Sequence, residues 1–355
     1  MSLGKSKILS QAASGIVGTD NFQIITYTGT GSTQSTNSLS SQSGTINFQP
    51  DLIWFKNRSG AYLHQIYNSI TGVDKFLNPG VATTIGTYTG YEAERTNPSG
   101  YDLTSFNSNG FTVGLPHFGS VNEVGFSHVA WCWKGGGAAS SNTNGSITSQ
   151  VSANTNAGFS IATYTGNSTQ DATIGHGLTS PKLTIVKNRS QADSWFVGST
   201  LLGTNKFMEL NNSAAATTNS DLNYQILSTT FKTTSSSPHD MINQSGENYI
   251  MYTFADVAGY QKIGSYNGSG SSGKSVTTGF RPRFVMTKNT QDGASFDRWY
   301  IQDSVRGGGE ILYANSALAE SSFTSMQFDD DGFTLNTSDA GINESSKTYL
   351  YLAIA

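Results

Sequence analysis

Three blocks of sequence recur in the same order along the chain, and that repetition limits the fold more than any other feature. Thr26-Tyr27-Thr28-Gly29 returns as Thr163-Tyr164-Thr165-Gly166 and as Ser265-Tyr266-Asn267-Gly268. An apolar run closed by Lys-Asn follows each time: Pro50–Asn57, Pro181–Asn188 and Pro282–Asn289. The third block is Asn68-Ser69-Ile70-Thr71-Gly72, Ser199-Thr200-Leu201-Leu202-Gly203 and Asp303-Ser304-Val305-Arg306-Gly307, with His64, Trp195 and Trp299 four residues upstream. Each copy ends in an aromatic run: Phe126–Trp133, Tyr249–Phe254 and Tyr349–Ile354. Asn109-Gly110-Phe111-Thr112-Val113 also resembles Asp331-Gly332-Phe333-Thr334-Leu335.

The copies divide the 355 residues into an N-terminal segment 1–19, a first unit 20–137, a linker 138–156, a second unit 157–257 and a third unit 258–355. The first unit is longest, with insertions expected within Ser32–Gly44 and Thr83–Gly100. The linker is read from Gly135–Asn156, which has three consecutive glycines, then Ser, Thr, Asn and Gln, and no aromatic residue. This composition predicts a flexible or extended connection and the first site of proteolysis. Ala255–Tyr260 carries the second unit straight into the third, so those two are expected to form a rigid pair.

The runs read as strands. Tyr249–Phe254 is rich in strand formers, and Leu183-Thr184-Ile185-Val186 suits a strand covered on both faces. Clusters such as Asn267–Ser271 mark turns. Composition agrees: 12% of residues are charged, about 38% are Ser, Thr, Asn or Gln, and 11% are aromatic. Helical chains are built in bulk from Ala, Leu, Glu, Lys and Arg, and disordered ones are poor in aromatics. The expectation is an all-β chain of three tandem β-sandwich (jelly-roll-like) repeat domains with a short N-terminal anchor segment.

The Thr-Tyr-Thr-Gly block, the Pro181–Ser190 block and the Trp131-Cys132-Trp133-Lys134-Gly135-Gly136-Gly137 junction resemble a tandem domain of uncharacterised function. That domain occurs in virion structural and tail-fibre proteins of marine and freshwater bacteriophages. The opening Met1–Leu9 resembles the start of many such proteins. The resemblance implies a virion component on the tail, a tail appendage or, alternatively, the capsid surface. It carries over no catalytic residue.

Chemistry is sparse. No phosphate loop, dinucleotide fingerprint, HExxH or GxSxG is present. His64, His117, His128, His176 and His239 show no metal-ligand spacing, and Trp at the positions equivalent to His64 favours packing there. Asp329-Asp330-Asp331-Gly332 is the strongest acidic cluster. A calcium site needs more oxygen ligands than this turn supplies, so a solvated β-turn is expected. Cys132, the one cysteine, lies between two tryptophans and reads as a buried thiol. No catalytic, cofactor-binding or metal residues are assigned, and no cofactor is implied. Lys56, Lys187 and Lys288 are expected to share one structural role where a buried strand emerges.

A net charge of −4 disfavours nucleic acid as a partner, and no apolar run is long enough for membrane insertion. Taken with the missing catalytic signatures, the resemblance implies a non-enzymatic virion protein, a tail fibre or appendage expected to bind a host cell-surface glycan or protein. A capsid decoration protein is the alternative, and a polysaccharide depolymerase is a third. Met1–Thr19 has no internal counterpart and is expected to anchor the chain to sister copies, a homotrimer first, or to other virion proteins.

Overall fold

The computed structural model describes residues 18–80, 92–117, 119, 121–219, 224–233, 240–294 and 296–355. Residues 1–17 of the expected anchor, residues 83–91 of the second expected insertion, and His239 lie outside the described residues. The described chain is nearly all β, with one short α-helix, Ala340–Asn343, and two 3-10 turns, Gly18–Asp20 and Asp240–Ile242. Every ladder between its strands is antiparallel.

Three large sheets share one strand order. In the first it is Phe22–Thr28, Ser127–Trp133, Leu52–Asn57, Gln65–Asn68, Gly72–Leu77 and Arg95–Thr96. Phe159–Thr165, Asn248–Phe254, Leu183–Asn188, Trp195–Ser199, Lys206–Glu209 and Thr217–Thr218 repeat it in the second. In the third it is Gln261–Asn267, Thr348–Ile354, Phe284–Asn289, Tyr300–Asp303, Gly307–Tyr313 and Ser321–Ser322. We call the first three strands of each order the tyrosine, closing and lysine strands. The pairings Phe22↔Trp133, Phe159↔Phe254 and Gln261↔Ile354 bring the start of each tyrosine strand beside the end of its closing strand. The chain therefore enters and leaves every segment at the same end of its sheet.

Alternation along these strands sorts their side chains into two cores. Ile25, Tyr27, Ile53, Phe55, Ala130 and Cys132 face a core of the first segment's own. Similar local cores surround Val186, Tyr249 and Met251 in the second segment, and Val285, Tyr349 and Tyr351 in the third. The intervening positions, including Phe22, Trp54, Trp131, Ile185, Tyr252, Phe284 and Leu352, meet in one cluster shared by all three segments. Phe22 and Phe284 rings lie 5.5 Å apart, and Trp133 lies 5.8 Å from Phe284 and 6.3 Å from Phe159. Fully burying one such side chain is worth about 1.5–3 kcal/mol. A segment taken out alone would expose a whole apolar sheet face.

Two expectations need correction. The 138–156 linker is structured: Ser140–Asn142 and Ser149–Asn154 pair with each other, and the latter pairs with the second tyrosine strand. The glycines before it are also held, since buried Asp51 accepts from Gly135 N at 2.8 Å and Gly137 N at 3.3 Å. Nor do the second and third segments form a pair set apart from the first, because the shared core joins all three. Composition favours an extended, polar segment here, but an open sheet edge offers it a complete set of backbone partners.

Candidate functional site

The repeated motifs close turns. Each motif tyrosine stacks on the closing strand, with ring centroids 5.2 Å apart for Tyr27–His128, 5.1 Å for Tyr164–Tyr249 and 5.0 Å for Tyr266–Tyr349. Its hydroxyl donates to a backbone carbonyl, that of Val121, Ile242 or Ile342. The next residue in each of those loops, Asn122, Asn243 or Asn343, is buried, and its Oδ1 accepts from the N–H of Thr30, Asn167 or Ser269. The motif glycine is required because a Cβ on Gly29, Gly166 or Gly268 would collide with the carbonyl of Glu123, Gln244 or Glu344. In the Lys-Asn block, Asn57, Asn188 and Asn289 accept from the two N–H groups that follow two and three residues on, an Asx turn that ends the strand.

The lysines sit on the shared-core side of their strands, since Lys56 continues the alternation of Leu52 and Trp54. All three are fully buried. Their ammonium groups donate to carbonyls: Lys56 to Asn57, Gly60 and Ala317, Lys187 to Gln191 and Asp193, Lys288 to Asn289 and Ser213. Burial lowers the Lys56 ammonium to about 7, and Lys187 and Lys288 to about 8. The three environments are alike, as the sequence equivalence requires.

These contacts belong to seams that run cyclically round the shared core. The carbonyls of Arg58, Arg189 and Thr290 accept from the N–H of Glu320, Glu94 and Ala216, at 2.8, 2.8 and 2.9 Å. The first segment thus grips the third, the second grips the first, and the third grips the second. Trp195 Nε1 donates to Asn78 O at 3.2 Å, and Trp299 Nε1 to Glu209 O at 2.9 Å. His64 makes the same bond with an imidazole. Trp54 Nε1 donates to its Nδ1 at 2.7 Å, which leaves the proton on Nε2 to be donated to Tyr313 O at 2.9 Å. Burial and then the nearby Lys56 push the His64 pKa well down, so the ring is neutral.

The seam between third and first segments holds a buried charge cluster that no spacing in the sequence reveals. Arg306 donates through Nε to Asp303 at 2.6 Å and through Nη1 to Glu320 at 2.7 Å, and lies 5.4 Å over the Trp131 ring. Asp303 also accepts from Trp131 Nε1 at 2.9 Å. Glu320 takes two further bonds at 3.0 Å and one at 2.6 Å from Arg58.

The other titratable candidates are apart from one another. His128 stacks on Tyr27, His117 lies 5.6 Å from Tyr101, and His176 Nδ1 accepts from Leu178 N at 3.1 Å. Asp329 accepts from Gln327 and Thr334, and Asp330, almost fully exposed, meets Arg281 at 3.1 Å, so the acidic turn is a solvated hairpin. No group of three or more His, Cys, Asp or Glu suited to a metal occurs among the described residues. Burial pushes the Cys132 thiol up, away from a nucleophile's range.

An open groove of about 860 Å³ lies between the first and second segments. Phe48, buried Asp51 and Gly135 line it together with the exposed Asn47, Gln49, Thr155 and Asn156. Lys134 crosses it with its ammonium 6.0 Å from the Phe48 ring. A second hollow of about 590 Å³ adjoins at Asn47. This groove is the candidate site, and sequence reasoning missed it because its walls come from stretches more than a hundred residues apart.

Residues 17–355 match the model of a domain of unknown function, DUF7483. The chain belongs to this family. Its match spans all three segments, so a DUF7483 domain is the whole cyclic arrangement and not one of its units. No curated protein and no solved structure matches the chain.

Proposed function

We propose that the chain is a non-enzymatic virion protein, a tail fibre or appendage that contacts the host surface. What carries this reading is where the repeated motifs go: tyrosines, asparagines, lysines and seam tryptophans are all spent on turns and on joining segments. The buried acids Asp303 and Glu320 are likewise tied to arginines. The scaffold leaves polar, sparsely charged loops for contact, a chemistry suited to adaptable recognition. We read the three segments as homologous sandwich repeats, each large sheet facing its own three-stranded sheet. The motif resemblance to bacteriophage tail-fibre proteins supports the virion location. Cryo-electron microscopy of particles made with this protein tests it. Density at the tail supports the proposal, hundreds of copies in register on the head support decoration of the capsid, and absence from the particle overturns both. Loss of polysaccharide viscosity on incubation would favour a depolymerase.

The cyclic packing favours a second reading of the assembly. Three segments already surround one core, so a single chain takes the place that a homotrimer was expected to fill. A solution mass near 37.8 kDa supports the single chain, and three times that supports the homotrimer.

A further inference from the structure

We propose that the groove between the first and second segments binds a neutral, hydroxyl-rich oligosaccharide. The inference rests on the host-surface reading and names the ligand class of its site. Three observations select the ligand. First, the lining carries one ammonium, Lys134, and one carboxylate, Asp51, and the carboxylate is already occupied by Gly135 N, Gly137 N and the Ser69 hydroxyl. A phosphate or sulfate site needs several free donors, and here the glycine N–H groups are taken: Gly136 N bonds to Ser152 Oγ at 2.9 Å. Second, the one aromatic ring, Phe48, is buried at the floor, so an apolar ligand finds little surface. Third, the exposed Gln49, Thr155 and Asn156 make no hydrogen bond among the described residues, so their amide and hydroxyl groups are available. Carboxamides offer two donors and an acceptor in one plane, which matches adjacent sugar hydroxyls. The second hollow, sharing Asn47, lengthens the track beyond a single ring.

Glutamine and asparagine at exposed positions are also dispensable to the fold, which makes the test clean. The full chain is titrated by calorimetry and saturation-transfer NMR with neutral gluco-, galacto- and manno-oligosaccharides of four to seven units. Sialylated and sulfated oligosaccharides form the anionic arm. Binding of at least one neutral member is expected. The double variant Gln49→Ala/Asn156→Ala should weaken it at least about tenfold, as loss of two hydrogen bonds implies, with an unchanged melting temperature. Gln170→Ala, on an exposed loop away from the groove, should bind as the parent does. Binding of anionic members only, binding of no member, or full affinity in the double variant overturns the assignment. Adsorption of the protein to cells that persists in the double variant overturns the groove alone and leaves the host-surface reading standing.

Discussion

The seam between the third and first segments and the seam between the second and third share a backbone contact, a buried lysine bonded to a carbonyl and a ring N–H bonded to a carbonyl, and differ in the charges added to them. At the first of these, Glu320 N meets Arg58 O, and Arg58, Glu320, Arg306 and Asp303 form a continuous charge network. At the other, Ala216 N meets Thr290 O, and no guanidinium or carboxylate occupies the equivalent positions. The chain crosses between the second and third segments through the short turn Val257–Gln261. It never crosses between the third and the first. A seam with covalent continuity holds its partners at high effective concentration, whereas the seam that closes the ring must supply its own specificity. The seam between the second and first segments is intermediate: the chain crosses through a longer strand pair, and one Arg189–Glu94 pair, with bonds of 2.9 and 2.8 Å, is present.

Removing Arg306 should break this comparison most severely. Arg306→Met leaves Asp303, fully buried, without its cation, and Glu320 with only Arg58. A destabilisation of about 3–5 kcal/mol is expected in urea unfolding. A loss below that of an ordinary surface change would mean that the ring closes through the apolar core alone. Arg189→Ala, at a pair left partly exposed, should cost no more than about 1 kcal/mol by the same measurement. An equal loss at both seams would remove the distinction between them.

The lysines give the comparison a pH axis. Lys56 holds its proton less tightly when folded, near 7, than the ordinary 10.5. Between those values the unfolded chain binds more protons, so stability rises with pH through this window. Asp102, buried and raised to about 7, works the other way, and stability falls as pH climbs from about 4 to 7. Together they predict a shallow minimum near pH 7 in unfolding free energy. Lys56→Met should flatten its alkaline side, and a curve unchanged by that variant would refute the contribution. The smallest effect is a gain. Thr290→Arg with Ala216→Glu transplants an ion pair to the bare seam and should add about 0.3–1 kcal/mol, seen as a rise in melting temperature. No rise would show that this seam has no room for the pair's geometry.

Much of this was legible in the chain. Tyr-Thr-Gly, Lys-Asn and the equivalence of His64 with Trp195 and Trp299 were visible as repeats, and each repeat performs one physical task in all three copies. Local chemistry explains why. An asparagine after a strand caps the following N–H groups, and a glycine beside a carbonyl admits no side chain, whatever the rest of the fold does. The 138–156 stretch was misread because composition describes how a segment behaves without partners, and here the second tyrosine strand supplied them. The charge cluster and the groove were not legible at all. Arg58 and Glu320 are 262 residues apart, and only folding brings them together.

By itself, then, the sequence determined the β class, the number of repeated segments, the turns that end their strands, and the fact that the central strands are apolar on both faces. It did not determine what covers the second face. Period-two alternation records that a side chain is buried and on which side of its strand, but carries no label for the surface it meets. Whether the outer face of each large sheet would meet solvent-excluding loops, a sister chain or another segment of the same chain depended on the geometry of closure. The tertiary structure decided it: three sheets, each unable to cover its own outer face, cover one another around Phe22, Trp133, Phe159 and Phe284.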